Sequence, residues 1–65
     1  MKNNIKENRA EHGMTQDALA ETLGVSRQTV ISLEKGRYNP SLELAFKLGA
    51  VFGCRIEDLF DPEED

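Results

Sequence analysis

The stretch from Arg27 to Lys35, RQTVISLEK, concentrates the side chains best equipped for polar recognition. Arg27 carries a planar fork of donors, Gln28 a donor and an acceptor on one amide, and Ser32 a hydroxyl, while Ile31 offers only methyl groups. If the stretch is helical, Val30 and Leu33 share one side. Ile31 then lies about 100° further round, among Gln28, Ser32 and Lys35. What that second face, a polar rim, meets is left open by the stretch itself.

Bond-making chemistry has little to work with in this chain. There is one histidine, His12, and no nucleophile paired with a base, no metal-ligand spacing and no phosphate-cradling glycine loop. Cys54 is the sole cysteine, which rules out an intrachain disulfide or a cysteine metal cluster and fits a reducing compartment; a small, half-buried apolar role is expected for it. His12 falls near the end of a helix, where it would stabilise the dipole from the surface, and the adjacent carboxylates Glu57 and Asp58 suit a helix's first turn. No enzymatic activity, metal, cofactor or small-molecule ligand is expected.

A chain of 65 residues makes one domain that buries only about 60% of the surface its unfolded form exposes, so a partner subunit would add useful stability. With 38% hydrophobic and 31% charged residues it should fold. Nothing resembles a signal peptide, and no apolar run approaches the roughly 18 residues needed to span a bilayer, so a cytoplasmic location is expected. The formal charge of −4 is unevenly placed. Met1 to Pro40 has six Lys/Arg against five Asp/Glu, a balance of +1, whereas Ser41 to Asp65 has two against seven, a balance of −5. The acidity gathers at the far end, where DPEED, residues 61–65, reads as a solvated tail after a folded domain of residues 1–60.

Helices should position the rim, since no alternating run is long enough for a strand pair. A first helix is expected from Asn3 or Asn4 to His12, stopped by Gly13, with a thin apolar side of Ile5, Asn8 and Arg9. Thr15 caps a second, Gln16 to Leu23; Ser26 caps a third, Arg27 to Lys35; Ser41 caps a fourth, Leu42 to about Phe52. Leu42, Ala45, Phe46, Leu48 and Phe52 give the fourth a wide apolar face. Gly49 within it would cost about 1 kcal/mol relative to alanine, and marks either close backbone approach or a tolerated imperfection. A fifth, Ile56 to Phe60, should end ahead of Pro62.

Only Gly24, Val25 and Ser26 separate the second helix from the third, too few for an antiparallel return, so the two should cross steeply. Ala20 would sit at their closest approach and must be small, Gly24 must turn the chain with positive φ, and Leu19, Leu23, Val25, Val30 and Leu33 must fill the wedge. The segment TQDALAETLGVSRQTVISLEKGRYNPSLELAFKLGAVFG, with IEDLF beyond it, resembles the phage-repressor/Cro type (xenobiotic-response-element type) of helix-turn-helix transcriptional regulators. The resemblance runs from about Ile5 to Phe60. It implies an all-α, five-helix, lambda-repressor-like DNA-binding domain whose helix-turn-helix is formed by helices two and three.

On that resemblance, the third helix would enter the major groove of double-stranded DNA, with Arg27, Gln28, Ile31 and Ser32 facing base edges. Arginine suits guanine and glutamine adenine, each good bidentate pair discriminating by about 1–3 kcal/mol. At Ile31 the family usually has a small polar residue; here the side chain either packs on a thymine methyl or is partly covered by a neighbour. Phosphate contacts would come from Thr15, Gln16, Ser26 and Thr29 around two helix N-termini, and from Lys35, Arg37, Tyr38 and Asn39 at the far end. Alone, Lys35 and Arg37 would read as solvated charges near a helix C-terminus. The resemblance also implies a structural salt bridge between Arg9 and Glu34, while Asn8 departs from the apolar residue expected there. A homodimer is expected, with Val51, Phe52, Ile56, Leu59 and Phe60 available for core and interface. The function implied is sequence-specific regulation of transcription, with repression foremost. The competing reading is a protein-interaction module, an antitoxin-like or bridging partner.

Overall fold

The computed structural model describes residues 2–62. In chain order the elements are β1 (Lys2–Asn3), α1 (Ile5–Glu11), α2 (Gln16–Leu23), α3 (Arg27–Glu34), α4 (Leu42–Phe52), α5 (Ile56–Leu59) and β2 (Phe60–Asp61). Hydroxyl caps set three of the helix starts: Thr15, Ser26 and Ser41 accept from the backbone N–H groups of Ala18, Thr29 and Leu44 at 3.0, 3.1 and 3.1 Å. Each satisfies a donor that the helix itself leaves without a partner. Gly24, at φ 77°, ends α2 in the left-handed region, and the N–H groups of Gly24 and Val25 both donate to Ala20 O, at 2.9 and 3.0 Å. That closure bends the chain directly into α3.

The core is a single cluster. Ile5, Leu19, Val30, Leu33 and Leu48 are fully buried, and Ala20, Leu23, Leu44, Phe52 and Leu59 nearly so. Burial of each large aliphatic side chain contributes about 1.5–3 kcal/mol. α1 enters the core through Ile5 alone. It is otherwise held by polar bonds, with half-buried Asn8 turned back so that its Nδ2 donates to Asn4 O at 2.8 Å.

Three sequence expectations are corrected. The termini form a short antiparallel pair, Lys2 opposite Asp61 and Asn3 opposite Phe60, extended by Asn4 N–H donating to Leu59 O at 3.0 Å. Two-residue strands carry no alternation to detect. α5 therefore stops at Leu59, and Phe60, with φ −119° and ψ 140°, is extended. Asp61 belongs to β2, so the expected tail begins inside the fold; residues 63–65 lie outside the described residues.

The apolar face of α4 also differs. Leu44, Ala45, Leu48, Gly49 and Phe52 are buried, whereas Leu42 and Phe46 are 68% and 61% exposed. The helix has apolar residues on more than one side, and packing against α2 and α5 selects the stripe that includes Leu44. Gly49 is needed for close approach: a Cβ there would lie 2.7 Å from Cys54 O.

Candidate nucleic-acid interface

Val30 and Leu33, fully buried, fix which way α3 faces, and the outward rim follows from them. Arg27 and Gln28 are exposed, and Ile31 and Ser32 are half-buried, which gives Ile31 partial cover by its neighbours. A helix about 10–12 Å across matches a major groove about 12 Å wide.

Two capped N-termini flank the rim. At α3, Ser26 Oγ accepts from Thr29 N–H and shares a second hydrogen bond with Thr29 Oγ1 at 2.9 Å. Since one hydroxyl hydrogen suffices for that mutual bond, the other remains free to donate outward. At α2, exposed Thr15 is occupied as a cap by Ala18 N–H, leaving backbone donors and the dipole's positive end to attract an anion. Beyond α3, Lys35 caps the helix C-terminus, and Lys35, Arg37, Tyr38 and Asn39 are all exposed. The structure thus brings Arg27, Gln28, Ile31 and Ser32 together on one helix, with Ser26 and Thr29 at its N-terminal end, the loop residues beyond its C-terminal end, and Gln16 of α2 bonded to Glu34 in its last turn.

Arg9 and Glu34 meet: Arg9 Nε donates to Glu34 Oε2 at 2.6 Å, with the two side chains 14% and 5% exposed. The pair does not stand alone. Arg9 Nη1 donates to Met14 O at 2.9 Å, and Gln16 Nε2 donates to Glu34 Oε1 at 3.1 Å. Both carboxylate oxygens are therefore satisfied, and α1, the α1–α2 turn, α2 and α3 are bonded through one group. Gln16, expected only to face phosphate, has a partner inside the protein; its second amide hydrogen is still available to an anion.

Sequence reasoning missed two residues here. Asp17 Oδ1 lies 3.8 Å from Arg27 Nε in an exposed pair across the turn. Asn3 donates from Nδ2 to Leu33 O at 2.8 Å, across 30 residues of sequence. Neither contact leaves a mark in periodicity or in helix caps.

The residues set aside for other roles stay away from this rim. His12 is exposed at the end of α1, donates from Nδ1 to Asn8 O at 2.8 Å, and tilts against Phe52 with ring centroids 5.2 Å apart. Cys54 is half-buried, and burial together with the nearby Asp58 carboxylate pushes its thiol pKa up, away from thiolate reactivity. Asp58 Oδ2 accepts from Arg55 N–H at 3.1 Å in the first turn of α5. Among the described residues no group of three His, Cys, Asp or Glu side chains is placed to hold a metal ion, and no helix is long and apolar enough to cross a membrane.

Two capped helices in contact, joined by a short turn through Gly24 and presenting a polar rim, define a helix-turn-helix protein. The chain belongs to the helix-turn-helix family, whose pattern matches residues 5–59. Over its whole length it is 58% identical to an uncharacterized HTH-type transcriptional regulator of Methanocaldococcus jannaschii, covering 98% of that protein. It is 33% identical over 60 residues to the cryptic phage CTXphi transcriptional repressor RstR of Vibrio cholerae, covering 92% of this chain and 54% of RstR. Among solved structures, a hypothetical transcription factor from Neisseria superposes with a TM-score of 0.76 at 29% identity over 85% of this chain. A transcriptional regulator from Listeria innocua gives 0.75 at 27% identity over all of it. The chain spans 62% and 65% of those two proteins.

Proposed function

We propose that this protein is a cytoplasmic, non-catalytic transcriptional regulator that binds double-stranded DNA sequence-specifically and acts as a repressor, reading the major groove with α3. The observation that carries this reading is the rim itself: Arg27, Gln28, Ile31 and Ser32 lie outward because Val30 and Leu33 are wholly buried on the other side. Arg27 and Gln28 supply hydrogen bonds to base edges, Ile31 an apolar contact to a thymine methyl, and Ser32 a hydroxyl. Thr15, Gln16, Ser26, Thr29, Lys35, Arg37, Tyr38 and Asn39 set register on phosphates. The similarity to a phage repressor supports repression as the outcome of binding. The DNA-binding unit comprises residues 1–60, with Asp61 joined to it through β2 and the remaining acidic residues beyond.

The regulator works as a homodimer in this proposal. Leu42 and Phe46 lie one turn apart on the outside of α4, and Leu42 lines a groove of about 480 Å³ with Pro40, Ala45, Ile56 and Phe60. Exposed apolar surface of this kind supports association with a second copy. The longest extent of the chain is 30 Å, a size at which paired copies can set two reading helices about 34–36 Å apart, one turn of DNA.

Selection of bound sequences from a random duplex pool, followed by affinity measurements across salt, tests the reading. The expected result is an enriched, palindromic site and a log–log salt slope near −0.9 per phosphate contacted. No enrichment together with a flat salt response would instead favour a protein-interaction module, for which the same exposed Leu42 and Phe46 would be the docking surface.

A further inference from the structure

The last turn of α3 is held from two sides, and only one of them is the Arg9–Glu34–Gln16 network. On the other side Asn3 acts on the main chain: Nδ2 donates to Leu33 O at 2.8 Å, while Oδ1 accepts from Ile5 N–H at 3.1 Å. Leu33 O also accepts from Gly36 N–H at 3.0 Å, so both its lone pairs are used. Asn3 is itself fixed by the clasp of the termini, since it is the residue of β1 opposite Phe60 of β2, and the next residue, Asn4, bonds Leu59 O. A continuous path of hydrogen bonds therefore runs from the end of α5 through β2, β1 and Asn3 to the C-terminal end of the reading helix.

We propose that Asn3 is a positioning residue for DNA readout, setting the tilt of α3 through the Leu33 carbonyl and linking it to the clasp of the two termini. This rests on the DNA-binding reading above. The lever is favourable: Arg27 stands six residues from Leu33, about 9 Å along the axis, so a tilt of roughly 10° about the pinned end displaces it by about 1.5 Å. Readout by bidentate hydrogen bonds does not tolerate such a displacement. Phosphate contacts from Lys35, Arg37, Tyr38 and Asn39 lie at or beyond the pinned end and are little displaced, and those of Ser26 and Thr29 need only reach one of several equivalent phosphate oxygens.

Two substitutions separate this role from a structural one. Asn3→Asp keeps the acceptor for Ile5 N–H and the size of the side chain, but replaces the donor to Leu33 O with a repelling oxygen. Asn3→Ala loses both bonds. Each variant is compared with the unaltered protein by thermal melting, by its affinity for the selected site and for random duplex at a temperature well below melting, and by amide NMR of the free protein. For Asn3→Asp the expected outcome is an about tenfold weaker affinity for the selected site and an unchanged affinity for random duplex. Its salt slope should also be unchanged, and amide shifts should spread through residues 27–36. Wild-type discrimination by Asn3→Asp, or amide shifts confined to residues 2–8, would overturn the proposal. An equal loss of specific and random binding would do so too, because that is the mark of unfolding. If the unaltered protein selects no site at all, the DNA-binding reading fails. The NMR comparison still decides whether Asn3 positions α3.

Discussion

The rim of α3 and the outer side of α4 are both exposed surfaces on serine-capped helices, and they carry opposite chemistry. α3 offers an arginine, an amide and a hydroxyl around one aliphatic residue; α4 offers Leu42 and Phe46, one turn apart. The supports differ as well. Both helices bury aliphatic residues, but α3, beyond the packing of Val30 and Leu33, is gripped at its end by charged and amide groups from Arg9, Gln16 and Asn3, whereas α4 is seated by aliphatic and aromatic packing around Leu44, Leu48 and Phe52. Hydrogen bonds are directional and area burial is not, so a surface that must read geometry is anchored by the first and a surface that need only be covered by the second.

The comparison can be broken most severely at Glu34. Glu34→Ala leaves Arg9 largely buried without its carboxylate, and should lower stability by about 3–5 kcal/mol in chemical denaturation. A loss below about 0.5 kcal/mol would mean that the network does not orient α3. On the α4 side, Leu42→Glu with Phe46→Glu should leave the monomer folded, lowering melting only by what association contributes. It should yield monomers in sedimentation and weaken binding to a two-half site about 100-fold, as expected when linked half-sites are uncoupled. A dimer that survives this change would move the interface elsewhere.

Smaller effects sharpen the contrast. Gln28→Ala should cost about 1–3 kcal/mol on the selected site and relax preference at one base position, whereas Lys35→Ala should weaken all sequences alike and reduce the salt slope by about one. Equal behaviour of the two would erase the division between base and phosphate contacts. Gly49→Ala gains about 1 kcal/mol of helix propensity, but places a Cβ 2.7 Å from the Cys54 carbonyl. Overpacking of about 1–3 kcal/mol should win, giving a net loss of about 1 kcal/mol in thermal melting, with DNA preference unchanged.

Much of this molecule is written locally, in residues close together along the chain. Thr15, Ser26 and Ser41 mark helix starts because a hydroxyl oxygen reaches an N–H three residues on, and Gly24 marks the turn because positive φ costs a side chain more than it costs glycine. The rim of α3 was equally legible, since its buried and exposed sides follow from 3.6 residues per turn. What the sequence hid was distant pairing. Asn3 reaching the Leu33 carbonyl, Gln16 joining Glu34 and Lys2 lying opposite Asp61 use polar side chains of types ordinary for exposed positions, or a backbone group that every residue carries.

By itself, then, the order of residues determined the five helices, the turn through Gly24 between α2 and α3, and which side chains could look outward from α3. Tertiary structure alone decided which stripe of α4 is buried, that the termini are joined, and that Asn3 and Gln16 join Arg9 in holding the last turn of α3. The reason is range: caps and helical periodicity act over three or four residues, whereas the choice among several apolar faces, and the pairing of distant polar groups, depends on which surfaces meet when the chain closes on itself.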